Sequence, residues 1–148
     1  VSAPKHPLGQ QGDLEVEDLR PYDFIVREVG SGTRAAMEKF FVDARVEPRL
    51  QMQLNSNETI KQAVMAGLGL GFLSLHTIGL ELENGLIQVL DVRGAPVVRA
   101  WNIVHTRAKL LSPAAEAFRY FMLEHAEGHL AAKYGPLLKL PQASPTPP

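Results

Sequence analysis

Cysteine is absent from all 148 residues, so neither a disulfide framework nor a thiolate metal site can form. No apolar run approaches the roughly 20 residues of a membrane helix, and no signal peptide opens the chain, which points to the cytoplasm and away from a membrane. Charge of one sign is also missing. A net charge of −1 excludes holding nucleic acid by charge alone. There is no Walker A sequence and no G-x-S-x-G elbow, since Gly30-Ser31-Gly32 has the wrong spacing. Five histidines are scattered; His125 and His129 lie four apart, but no acidic third ligand stands in the usual relation to them. The expectation is a protein that is not an enzyme, with no metal and no cofactor.

What is present is a core. Hydrophobic residues make up 45% of the chain, enough for one ordinary domain or one and a fraction. The stretch that organises it runs from Tyr22 to Phe41. Phe24, Ile25 and Val26 form a short run of strand formers, predicting a strand over 23–28 that stops at Gly30-Ser31-Gly32. From Thr33 to Ala44, apolar residues at Ala36, Met37, Phe40, Phe41 and Ala44 mark one face of a helix. Upstream, Val16 to Leu19 can form one helical turn with Asp13 as its cap. Downstream, Leu50 to Leu54 alternates as a second strand, and Ile60, Ala63, Val64 and Gly67 mark a second helix. Gly67-Leu68-Gly69-Leu70-Gly71 lies on a helix-to-strand connection, so it is no dinucleotide fingerprint; it feeds a third strand at 72–75. A short helix over 76–83, strands at 86–92 and 97–105, and a helix opened by Ser112-Pro113 complete the pattern. Strand–helix alternation of this kind indicates α/β architecture with a mostly parallel sheet.

Two helix starts are therefore expected at the carboxyl edge of one sheet, where open α/β sheets bind ligands. Gly30, Ser31, Gly32, Thr33 and Arg34 belong to the first, and Asn55, Ser56 and Asn57 to the second. Glycines let backbone approach a ligand, helix N-termini favour anions, and Arg34 adds a positive charge. Thr33, Arg34, Ser56 and Asn57 are expected within about 12 Å of one another, a reach set by two adjacent βα units.

Longer strings carry a resemblance. Arg27-Glu28-Val29-Gly30-Ser31-Gly32-Thr33-Arg34, Ser56-Asn57-Glu58-Thr59-Ile60-Lys61-Gln62-Ala63-Val64 and Phe72-Leu73-Ser74-Leu75-His76-Thr77-Ile78 resemble the effector-binding region of LysR-type transcriptional regulators. Leu90-Asp91-Val92, Trp101 with Val104-His105, and Leu111-Ser112-Pro113-Ala114-Ala115 with Phe118 are similar to the CbbR-type subgroup, which regulates Calvin-cycle carbon-fixation (RuBisCO) operons. The match covers residue 1 to about residue 130.

The resemblance implies a type 2 periplasmic-binding-protein-like fold: two α/β subdomains joined by crossover strands, with the effector between them. Residues 1–7 would end a crossover strand, 8–105 form the second subdomain, and 106–130 hold the returning helix of the first. Residues 131–148 would be a disordered tail, because five of the eleven prolines lie from Pro136 onward. Val1-Ser2-Ala3-Pro4 reads like a strand already under way, so a C-terminal fragment of a longer regulator is expected. Promoter DNA would be bound only through a winged helix-turn-helix outside this chain. The implied effector is a small phosphorylated or carboxylated metabolite, such as ribulose bisphosphate, phosphoenolpyruvate or NADPH. The implied assembly is a homo-oligomer, a dimer of effector domains and a tetramer at full length. A solute-binding protein or an enzyme on the same fold is the alternative, since fold does not dictate function.

Overall fold

Phe24, Ile25 and Val26 sit in the middle strand of a parallel sheet, in a computed structural model that describes residues 1–108 and 110–138. Strand β1 (Asp23–Arg27) lies between β2 (Arg49–Leu54) and β3 (Leu70–Gly71), giving the order β2-β1-β3. Successive side chains on a strand point to opposite faces. Phe24 and Val26 therefore join one layer, with Met37 and Phe41 of helix α1 (Gly32–Asp43) and Leu8, Leu14, Val16, Leu19, Leu90 and Val92. Ile25 joins the other, with Ile60, Ala63 and Val64 of helix α2 (Asn57–Met65) and Ile87. Burial on both faces is why β1 reads as a continuous apolar run rather than an alternating one.

Both helices end in the same backbone motif on different residues. After α1, Arg45 N–H donates to Val42 O and Val46 N–H to Phe41 O; after α2, Gly67 N–H donates to Val64 O and Leu68 N–H to Ala63 O. This Schellman turn needs a left-handed residue, and Gly67 (φ 75°) takes it without strain, whereas Arg45 (φ 59°) does so against its own Cβ.

Helix α3 (Gly79–Glu83), preceded by a 3₁₀ turn at Leu75–Thr77, is tied to α2 by charge. Lys61 Nζ donates to Glu81 Oε1 at 2.8 Å and to Glu58 Oε2 at 2.7 Å. The side chains of Lys61 and Glu81 are only 10% and 9% exposed. Hydrogen bonds to Glu58 and then Glu81 hold the Lys61 ammonium above its ordinary pKa, and the bond from Lys61 holds the Glu81 carboxyl below its own. Glu81 Oε2 is buried without a partner among the described residues.

The sheet is smaller than the sequence pattern implies. The third strand is Leu70–Gly71 rather than 72–75, inside the glycine string itself. A Cβ on Gly69 would stand 2.7 Å from Asp23 O, so only glycine lets this segment approach β1. Residues 86–92 form no strand. Gln88 makes an isolated antiparallel bridge to Ser2 and Val92 a parallel one to Leu14, so the segment pairs with the chain's start instead of with the sheet. Its apolar side chains Ile87, Leu90 and Val92 are buried all the same, which explains why they carry a strand-like pattern. Asp13 does not cap the turn at Val16–Leu19; Glu15 N–H donates to Asp18 Oδ2 there, while Asp13 faces Asp91 and Arg93.

The described residues divide into two compact units, 1–97 and 98–138. Residues 97–105 form no strand, since no neighbouring strand pairs with them among the described residues. Helix α4 starts at Pro113, with Ser112 Oγ accepting the Ala115 N–H, and continues to Leu138. Residues 131–138 are therefore helical rather than part of a tail: Leu130-Ala131-Ala132-Lys133 are strong helix formers and carry the helix past Pro136. The remainder of the expected tail, 139–148, lies outside the described residues. Phe118 and Phe121 of α4 are exposed, and Phe121 packs edge-on against His125 at 4.7 Å.

Candidate effector-binding edge

Strand register brings the two turns together. Arg27 stands opposite Leu54 in the parallel pair, so Glu28 to Ser31 and Asn55-Ser56 leave the sheet side by side at its carboxyl edge. Gly30 (φ 91°) turns the first loop, Ser31 Oγ accepts the Thr33 N–H at 3.2 Å, and α1 starts at Gly32. In the second loop Ser56 precedes α2 with no side-chain cap, so among the described residues the first-turn N–H groups of α2 receive no bond from the Ser56 hydroxyl.

Arg27 is the group on which both turns converge. Its Nη1 donates to Asn57 Oδ1 at 2.7 Å, and its carbonyl accepts from Arg34 Nη1 at 3.3 Å. Nε and Nη2 donate to the two oxygens of Glu28 at 2.7 and 2.8 Å, a side-on fork. The hydrogen bond between them holds the Arg27 guanidinium above its ordinary pKa and the Glu28 carboxyl below its own. Guanidinium carries five N–H donors, so two of those on Arg27 have no partner among the described residues.

Of the residues singled out from sequence, the structure joins Arg34 and Asn57 through Arg27. Arg34 is not a solvated surface arginine: its side chain is 10% exposed, with Nε on Glu38 Oε1 at 2.6 Å. It is spent on fastening α1 to the end of β1. Ser31 is spent on capping. Thr33 and Ser56 are half-buried with hydroxyls that make no hydrogen bond among the described residues, Asn55 is exposed, and Gly30 and Gly32 line the loop at the surface. Arg27 and Glu28, which tie the two turns together, escaped the sequence reading. Their signal was there: a charged pair placed where a buried strand ends and a glycine turn begins.

Two convergent turns, an arginine and open donors beside an uncapped helix start are groups whose chemistry suits an anion, at the carboxyl edge of a parallel α/β sheet. That is the design of a domain that binds small solutes or effectors. The chain belongs to the LysR substrate binding domain family, whose model matches residues 1–127. It is similar to the HTH-type transcriptional regulator CfxR of Cupriavidus necator, 48% identical over 138 residues, covering 93% of this chain and 44% of that protein. It is also similar to the RuBisCO operon transcriptional regulator of Allochromatium vinosum, 48% identical over 126 residues, 85% of this chain and 42% of that one. Among solved structures it resembles the regulatory domain of Synechocystis PCC6803 CcmR in complex with 2-PG. The TM-score is 0.78 at 33% identity, over 83% of this chain and 59% of that chain. The effector binding domain of QuiR in complex with shikimate shares the fold, with a TM-score of 0.67 at 19% identity over 86% of this chain and 60% of that chain. The fold is thus the type 2 periplasmic-binding-protein-like one implied by the resemblance. The chain spans less than half the length of these curated relatives.

Proposed function

We propose that this chain is the effector-sensing part of a cytoplasmic LysR-type regulator of carbon-fixation genes, regulatory rather than catalytic. It holds the anionic group of a small phosphorylated or carboxylated metabolite at the edge formed by Arg27, Thr33, Ser56 and Asn57. The single observation behind this assignment is the convergence of both βα turns on the Arg27 guanidinium. The relatives supply the biological setting: regulators named for RuBisCO operons, and a CcmR domain in complex with 2-PG. In the longer protein residues 8–105 act as the second effector subdomain, 1–7 end a crossover strand, and the helix within 106–130 returns to the first. Effector binding biases how the two subdomains close, which changes packing in a dimer of effector domains and a full-length tetramer. Promoter DNA is read by a winged helix-turn-helix upstream.

Arg27→Ala and Asn57→Ala in the full-length regulator test this. Both should weaken the response of promoter DNA binding or transcription to an anionic effector while leaving effector-free promoter binding intact. An unchanged response in folded Arg27→Ala would remove the edge from the effector site. Loss of effector-free DNA binding would break the division of labour between sensing and DNA reading.

A further inference from the structure

The Arg27 fork is already filled. Within a strand, neighbouring residues point to opposite faces and cannot pair, but β1 ends at Arg27 and the chain turns at Glu28. This break lets Glu28 swing back and place both carboxylate oxygens on Nε and Nη2 of the residue before it. A side-on guanidinium fork is the geometry that recognises a carboxylate or a phosphate from outside. The two partners differ in how firmly they are held. Arg27 is 19% exposed and keeps a separate bond from Nη1 to Asn57, whereas Glu28 is 36% exposed and is held, apart from Arg27, only by its own backbone N–H among the described residues. Glu28 can leave into water, and Arg27 stays aimed.

We propose that Glu28 is a built-in competitor for the effector's anionic group, occupying the Arg27 fork until a stronger anion displaces it. The inference rests on the effector site proposed above and adds a selectivity mechanism to it. A monocarboxylate replacing Glu28 exchanges one fork for an equal one, and it must also overcome a competitor tethered one residue away, at high effective concentration. A phosphate dianion brings more charge, and it has further oxygens for the Thr33 and Ser56 hydroxyls, Asn57 and the uncapped start of α2. Glu28 thus discriminates by opposing weak anions as much as Arg27 does by attracting strong ones. In the absence of effector it also relieves Arg27 of an uncompensated charge.

The test is titration of the chain with inorganic phosphate and, separately, acetate at constant ionic strength, following by NMR the backbone amide resonances of residues 28–34 and 55–59 in every variant and the Arg27 Nε–H where arginine is present. Wild type, Glu28→Gln, Arg27→Lys and Arg27→Ala are compared. Glu28 is a partly exposed loop residue, so Glu28→Gln should fold normally. The expected result is phosphate binding about three- to fivefold tighter in Glu28→Gln, the weight of a partly exposed ion pair, with the phosphate-over-acetate preference reduced. Arg27→Lys should bind phosphate more weakly than wild type and lose its dependence on Glu28, because a lysine offers no fork. Equal phosphate affinity in wild type and Glu28→Gln, with binding lost in Arg27→Ala, would overturn the competitor role and leave the effector site standing. No phosphate response at Arg27 in either wild type or Glu28→Gln would overturn the site itself.

Discussion

Lys61→Met isolates the cost of leaving Glu81 alone. Methionine keeps most of the lysine stem's packing, so the change removes charge with little change of volume. In the native chain Glu81 has one oxygen on Lys61 and the other buried without a partner among the described residues. Removing Lys61 leaves a carboxylate only 9% exposed with no counter-charge. Breaking a buried pair in this way costs about 3–5 kcal/mol. Here Glu58 is 65% exposed and brings solvent to the pair's outer end, which lowers the expectation to about 2–3 kcal/mol. For a unit of this size that is a fall in melting temperature of roughly 10–20 °C. Far-UV circular dichroism during heating and urea unfolding measures it.

The pH dependence distinguishes charge burial from lost packing. In wild type, the Glu81 contribution is present above the ordinary carboxyl value of 4.5 and is lost as pH falls through its lowered folded pKa. The Lys61 contribution is present below 10.5 and is lost as pH rises through its raised one. In Lys61→Met the stranded Glu81 carboxyl moves up instead. The deficit against wild type should therefore be small in acid and grow as pH rises through that raised value. The double variant Lys61→Met/Glu81→Leu should recover to within about 1 kcal/mol of wild type. A deficit that is independent of pH, or below about 0.5 kcal/mol at neutral pH, would refute the claim that Glu81 is desolvated.

Glycine substitutions should change sign with location. Gly69→Ala drives a Cβ against Asp23 O at 2.7 Å and should cost about 1–3 kcal/mol, whereas Gly128→Ala in α4 meets open space and should gain about 0.5–1 kcal/mol, both readable by urea titration. Arg45→Gly relieves the left-handed residue after α1 and should stabilise by up to about 1 kcal/mol, while Gly67→Ala at the matching turn after α2 should destabilise by a similar amount. Phe41→Ala removes a fully buried ring packed edge-on against Phe24 at 5.2 Å, and should cost about 3–5 kcal/mol in chemical denaturation.

Local patterns alone determined β1, α1, β2 and α2, because each is a short-range consequence of side-chain period and turn chemistry. Phe24-Ile25-Val26 could only be a buried strand, Ser31 and Gly30-Gly32 could only start a helix cleanly, and parallel strands placed both helix starts on one edge. The family was legible too, in the strings around 27–34, 56–64 and 72–78. What the sequence could not decide was partnership. Residues 86–92 carry a strand's apolar pattern, yet they bury it by pairing with Ser2 and Leu14, a choice that depends on where the chain's start lies. Residues 97–105 show the same pattern with no neighbouring strand among the described residues, and a strand exists only as half of a pair. The site followed the same rule. Arg34 stood out in the sequence as the positive charge at the edge, and the structure adds its bonds to Glu38 and the Arg27 carbonyl. Arg27 looked like one more residue of a strand expected to run to Glu28, and it bonds to Asn57 because the register of β1 against β2 puts that side chain within reach of its guanidinium.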